Sequence, residues 1–190
     1  MCVFCGSQSG RRPAYAQAAE AFGSLIAQRG VGLVYGGGRV GMMGVLADSA
    51  LGAGGEVIGV IPQALVAREL AHTSVTDLRV VASMHERKAL MAELSNAFVA
   101  LPGGFGTLEE FCEVTTWTQL GLHRKPCGLL NVEGFFDTLL RLFDHAAAEG
   151  FILQEHRAIV VVESDPARLL ERLADYCPPR QEKWIELDET

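Results

Sequence analysis

The feature that most constrains this chain is the alternation of short, continuously apolar runs with longer helical stretches. Val57-Ile58-Gly59-Val60-Ile61 and Phe98-Val99-Ala100-Leu101 place no polar residue at every second position, so neither face of such a strand is built for water. Strands covered on both faces belong to a parallel sheet with helices on either side. The runs predict strands over Met1–Cys5, Val31–Tyr35, Glu56–Ile61, Leu78–Ala82, Ala97–Leu101, Pro126–Leu130 and Ala158–Val162. Between them, helices are predicted over Pro13–Arg29, Gly41–Leu51, Ser83–Leu94, Thr107–Leu120, Gly134–Glu149 and Pro166–Tyr176. Pro13 and Gly30 punctuate the first of these as start and stop signals. The expectation is one α/β domain over residues 1–177 and a charged tail over 178–190.

The 190 residues carry a net charge of −7 and a pI of about 5.2, which argues against a nucleic-acid partner. A small anion is still admissible, because two or three local cations are enough to hold it. No stretch reaches the roughly 18 unbroken apolar residues of a membrane span, and none reads as a signal peptide. The expected location is the cytoplasm. Most of the five cysteines, at positions 2, 5, 112, 127 and 177, read as small core residues in a reducing compartment. Cys2 and Cys5 fit C-x-x-C, but both fall inside the first strand, where positions i and i+3 face opposite ways. The five histidines show no ligand-like spacing, so no metal is expected.

Ligands of parallel α/β sheets sit at the carboxyl ends of the strands. Three glycine-bearing turns fall there: Gly6-Ser7-Gln8-Ser9-Gly10, Gly36-Gly37-Gly38 and Gly103-Gly104-Phe105-Gly106. Gly36, Gly38 and Gly41 make a formal G-x-G-x-x-G, which alone is a weak dinucleotide signal. It follows the second strand rather than the first, and the next strand ends in Pro62 with no acid there to hold a ribose. A nicotinamide oxidoreductase is therefore disfavoured. Pro102-Gly103-Gly104-Phe105-Gly106-Thr107 is the stronger signal, since glycine lets main-chain amides approach a phosphate at a helix mouth. Thr107 is the expected N-cap, and Thr107-Leu108-Glu109-Glu110 also reads as a bare capping box.

Two charged pairs flank this turn. Arg87 and Lys88 open the helix before the fifth strand, about 100° apart. They are either a solvated pair, or one faces the crevice while the other meets a phosphate or the rim. Glu109 and Glu110 diverge equally, so one site uses only one of them. Trp117 is expected to pack rather than to stack on a base.

Met84-His85-x-Arg87-Lys88 followed by Pro102-Gly103-Gly104-x-Gly106-Thr107-x-x-Glu110 resembles the LONELY GUY family of cytokinin riboside 5′-monophosphate phosphoribohydrolases. Cys5-Gly6-Ser7, Gly36-Gly37-Gly38, "GEVIGVIP" and "TTWTQLGLHRKPCGLLNVEGFF" extend the likeness over nearly the whole chain. The resemblance implies a single-domain Rossmann-like, doubly wound parallel sheet with helices on both faces. It implies hydrolysis of the N-glycosidic bond of a nucleoside 5′-monophosphate without cofactor or metal, in a homodimer with its site near the subunit contact. By motif position, Arg87 and Glu110 match the catalytic pair. Glu69, Arg87, Lys88, Gly103, Gly104, Phe105, Gly106, Thr107, Glu110 and Thr116 match substrate-contacting positions.

The chemistry is coherent with that match. Glycosidic cleavage develops positive charge on the ribose, which a carboxylate stabilises while activating water. Rival readings are a general nucleotide nucleosidase and a non-catalytic carrier like the molybdenum-cofactor carriers. A carrier has no need of an Arg–Glu pair. A pyridoxal-phosphate decarboxylase needs a Schiff-base lysine, and only Lys88, Lys125 and Lys183 are available.

Overall fold

A computed structural model describes residues 1–66 and 70–178. Its elements run β1 (Cys2–Phe4), α1 (Pro13–Gln28), β2 (Leu33–Tyr35), α2 (Gly41–Gly52), β3 (Val57–Pro62), α3 (Gln63–Val66), β4 (Asp77–Val81) and α4 (Met84–Glu93). They continue with β5 (Phe98–Ala100), α5 (Phe105–Gln119), β6 (Cys127–Leu130), α6 (Asp137–Ala148), α7 (Gln154–Arg157), β7 (Val160–Glu163) and α8 (Pro166–Ala174). All pairings are parallel, in the order β4-β3-β2-β1-β5-β6-β7. The order reverses between β1 and β5, which pair through Cys2 with Phe98 and Phe4 with Ala100. That reversal is the switch point at which a crevice opens in such sheets.

The strands show why their sequences carry no polar alternation. In β2, Leu33 and Tyr35 join Phe22, Ile26 and Leu46 beneath α1 and α2, while Val34 joins Phe4, Phe98 and Phe111 on the α5 side. Each face of the sheet has its own core, so the positions of the central strands are apolar on both faces. Cys2 and Cys5 fall into different cores and are free thiols. Cys2, Cys5 and Cys127 are buried, as expected of most of the five cysteines, while Cys112 and Cys177 lie exposed. The edge strand β4 also departs from the two-sided rule: it pairs on one side only, with β3, and its Val80 is 47% exposed.

The helix predicted over Gly134–Glu149 starts three residues later, at Asp137. A short 3-10 turn at Val132–Gly134 precedes α6, with Glu133 at φ 51°. Asn131 causes the later start, since its Oδ1 accepts from the Phe136 amide at 2.8 Å and its Nδ2 donates to Asp137 at 2.7 Å. The tail beyond residue 178 lies outside the described residues.

Helices α1 and α2 cross closely at Gly23. A Cβ there meets the Leu46 carbonyl oxygen at 2.4 Å and the Ala50 nitrogen at 3.2 Å. Alanine is the better helix former by roughly 1 kcal/mol, but the clash outweighs it. Gly23→Ala is expected to destabilise the fold by about 1–2 kcal/mol net. An unchanged urea midpoint would contradict the close crossing.

A glycine-walled crevice and a buried arginine–glutamate pair

A cavity of about 360 Å³ opens at the carboxyl ends of β1, β2, β3 and β5. Cys5, Gly6 and Ser7 form one wall, and Gly104 to Thr107 form another. Arg87 and Glu110 line it as well. Met43, Ile61, Leu65 and Leu70 make its apolar side.

Arg87 is set by the start of α4. Ser83 accepts from the Glu86 amide at 3.1 Å, and Glu86 accepts in return from the Ala82 amide at 2.8 Å. This reciprocal cap fixes the first helical turn. The Arg87 side chain then runs inward and is only 8% exposed. Its Nε donates to the Val60 carbonyl and its Nη2 to the Gly36 carbonyl, each at 3.0 Å. Nη1 lies 3.3 Å from Glu110 Oε1.

The formal G-x-G-x-x-G now has a packing explanation at each glycine. A Cβ on Gly36 would stand 1.9 Å from Arg87 Nη2. One on Gly38 would meet the Met43 methyl at 2.7 Å. Gly41 has φ +60° and abuts the Ser7 backbone, where a Cβ would come within 2.3 Å.

The phosphate-type turn differs from expectation in one respect. Helix α5 starts at Phe105 with Gly104 as N-cap, two residues earlier than predicted, and no side chain caps it. Thr107 is buried in the first turn, its hydroxyl occupying the space a Cβ on Gly103 would need, 2.1 Å away. The Thr107–Glu110 capping box is therefore not formed. Leu108 is the first residue to donate within the helix, to Gly104. The amides of Phe105, Gly106 and Thr107 precede that bond, so they have no intrahelical acceptor, and these residues wall the cavity.

Glu110 is 8% exposed, one turn beyond this mouth. Burial raises its carboxyl above the ordinary range; Arg87 opposes that rise, Glu109 adds to it, Lys88 opposes it and Glu113 adds to it. The neighbouring Cys5 thiol is pushed far up by burial and then by the Glu110 charge, so it stays protonated.

Other predicted residues are placed elsewhere. Lys88 Nζ pairs with Glu109 and, at 2.9 Å, with Glu113 instead of lining the cavity. Thr116 donates to the Cys112 carbonyl at 2.7 Å and lines a separate depression beside α6 and α7. Gly103 lies under the turn, packed on Thr107. Phe105 stands at the crevice mouth, 93% exposed. Glu69 lies outside the described residues. Trp117 packs against the α5-side core, as expected. Sequence reasoning missed Met43, Ile61 and Leu70 as wall residues, and only the apolar run before Pro62 carried a signal for them. Among the described residues, no three His, Cys, Asp or Glu side chains are grouped to hold a metal ion.

Fold and crevice define a Rossmann-like α/β protein with a cavity at its switch point. Residues 43–173 match the family described as "Possible lysine decarboxylase". The "Probable cytokinin riboside 5′-monophosphate phosphoribohydrolase LOGL1" of Oryza sativa subsp. japonica is 50% identical over 182 residues, 96% of this chain and 82% of the relative. The "Cytokinin riboside 5′-monophosphate phosphoribohydrolase LOG1" of Arabidopsis thaliana is 49% identical over 183 residues, 96% of this chain and 85% of the relative. The chain belongs to the LONELY GUY family.

Among solved structures, the molybdenum cofactor binding protein of Rippkaea orientalis has a TM-score of 0.70 at 24% identity, covering 92% of this chain and 94% of its own. The molybdenum cofactor carrier protein of Chlamydomonas reinhardtii gives 0.69 at 24%, covering 92% and 97%. Those likenesses show the fold alone.

Gly36→Ala is expected to expel the Arg87 guanidinium from its carbonyl seat. The fold should lose about 1–3 kcal/mol, read as a lowered urea midpoint. A crystal structure of the variant with Arg87 unmoved would refute this.

Proposed function

We propose that this protein hydrolyses the N-glycosidic bond of adenosine 5′-monophosphates, N6-substituted ones in particular, to free base and ribose 5-phosphate. One observation carries the reading: an uncapped helix mouth and an arginine-anchored buried carboxylate line the same cavity. The curated relatives' names support the same chemistry.

The 5′-phosphate is received by the amides of Phe105, Gly106 and Thr107, favoured by the helix dipole. Glu110 follows three residues after Thr107, about 4.5 Å along the axis, a span suited to a pentose. As the bond between the anomeric carbon and the base nitrogen breaks, its electron pair leaves with the base. The Glu110 carboxylate stabilises the positive charge left on the sugar and takes a proton from water. The water oxygen bonds to the anomeric carbon, and the proton passes on to the departing base. Arg87 holds Glu110 in place. The base lies toward Met43, Ile61 and Leu70, an apolar wall that favours an apolar N6 substituent.

The working unit is read as a homodimer with the crevice near the contact. Exposed apolar side chains around the mouth, Phe105, Met84 and Val40, support this. A cytoplasmic location accords with the free thiols Cys2, Cys5 and Cys127. No helix among the described residues is long and apolar enough to cross a membrane. The decarboxylase description gains no support from the described lysines. Lys88 is engaged by two glutamates, and Lys125 donates to the Ala92 carbonyl.

The test incubates the protein with N6-isopentenyl-AMP, AMP and the unphosphorylated riboside, in chelator, and quantifies free base. Base should appear from the monophosphates and poorly from the riboside; equal rates would remove the helix mouth from the reaction. Glu110→Gln should lower turnover at least about 10²-fold with an unchanged circular dichroism spectrum. Because burial raises the Glu110 carboxyl, activity should fall with decreasing pH through a midpoint above the usual value of about 4.3. An acid limb at or below that value would contradict the assigned role.

A further inference from the structure

Lys88 has a place in the structure that a phosphate contact does not explain. Its side chain is largely buried between α4 and α5, with its ammonium on Glu109 and Glu113. These two carboxylates lie on either side of Glu110 in sequence, one residue before it and three after it. Together with Arg87 on Glu110, α4 offers two cations to three carboxylates of α5.

We propose that Lys88 is a positioning residue for the reaction: its ammonium neutralises Glu109 and Glu113, so that Glu110 remains an ionised partner of Arg87 within the crevice. This rests on the phosphoribohydrolase reading. It differs from the phosphate contact that the family motif suggests for the same lysine.

The charges facing Glu110 come from three elements. Arg87 and Lys88 project from α4, and Glu109 and Glu113 from α5 itself. The thiols of Cys2 in β1 and of Cys5 just after it are held protonated by burial, and the Glu110 charge reinforces this. Like charges within a turn disfavour ionisation of a buried carboxyl. Without Lys88, three carboxylates would share one guanidinium, and Arg87 is already divided between two carbonyls and Glu110. Although burial alone works against its charge, the bonds to Glu109 and Glu113 raise the Lys88 amine above its ordinary range. It therefore stays charged wherever the enzyme works, which a fixed counter-ion requires.

The experiment compares wild type with Lys88→Met, Lys88→Arg and the triple variant Lys88→Met/Glu109→Gln/Glu113→Gln. Two readouts are taken: the pH profile of kcat with KM for N6-isopentenyl-AMP, and the titration of the Glu110 carboxyl carbon by NMR without substrate. Lys88→Met should move both the acid limb and the NMR midpoint up by about one pH unit, with KM little changed. The triple variant should bring both back, and Lys88→Arg should stay near wild type. If Lys88→Met raises KM at least tenfold with the midpoint unmoved, and the triple variant gives no rescue, Lys88 serves the phosphate and the proposal fails. Should the triple variant not fold, Glu109→Gln/Glu113→Gln with Lys88 intact must lower the Glu110 midpoint, and an unshifted midpoint overturns the proposal. If wild type releases no base, the functional reading falls, while the NMR titrations still decide whether Lys88 tunes Glu110.

Discussion

The buried guanidinium of Arg87 is the constraint on which the crevice depends. A charge taken out of water is tolerated only when its donors are matched and a counter-charge is close. The fold supplies both from places where they are available. Strands β2 and β3 end near one another, and the Gly36 and Val60 carbonyls accept from Arg87. Helix α5 brings the counter-charge, Glu110. Two consequences follow for the sequence. Position 36 must lack a Cβ, because the guanidinium occupies that space. The first turn of α4 must be fixed, which the Ser83–Glu86 cap achieves.

The sheet was legible because burial on both faces writes itself into the positions of its central strands. Val34 and Tyr35, adjacent and both apolar, belong to different cores. The gathering of the glycine turns at one edge was legible too, since it needs only parallel strands and their carboxyl ends. Local patterns with two physical meanings were less informative. Thr107-x-x-Glu110 has the spacing of a capping box, but tertiary packing claims both residues, Thr107 against Gly103 and Glu110 against Arg87. The cap that does form, on Ser83 and Glu86, has the same spacing. Nothing local separates the two cases; burial does.

Lys88 and Thr116 show a similar limit. Adjacent cations on a helix diverge by about 100°, which shows that only one faces the crevice but not what the other meets. The answer lay on α5, in Glu109 and Glu113. Thr116 sits six residues beyond Glu110, on a part of α5 that borders a different depression. The formal dinucleotide fingerprint is the converse case, a recognisable motif with a packing cause. Its three glycines make room for Arg87, Met43 and the Ser7 backbone.

On the proposed reading, carboxylates beside a helix mouth that receives an anion look contradictory until the ligand is given two ends. A phosphate needs main-chain amides, while an anomeric centre that becomes cationic needs a nearby negative charge. Helix α5 presents amides at its first turn and Glu110 at its second, so one rigid element sets the spacing between the two. Burial makes the carboxylate's field strong because little water screens it, and the same burial favours its protonation. The site needs the first effect without the second. On the proposed reading, Arg87 permits that by setting Nη1 against Glu110 while Nε and Nη2 bind carbonyls. In the proposed reaction the carboxylate would then be stabilised enough to ionise, yet not so fully paired that its charge is lost to the sugar.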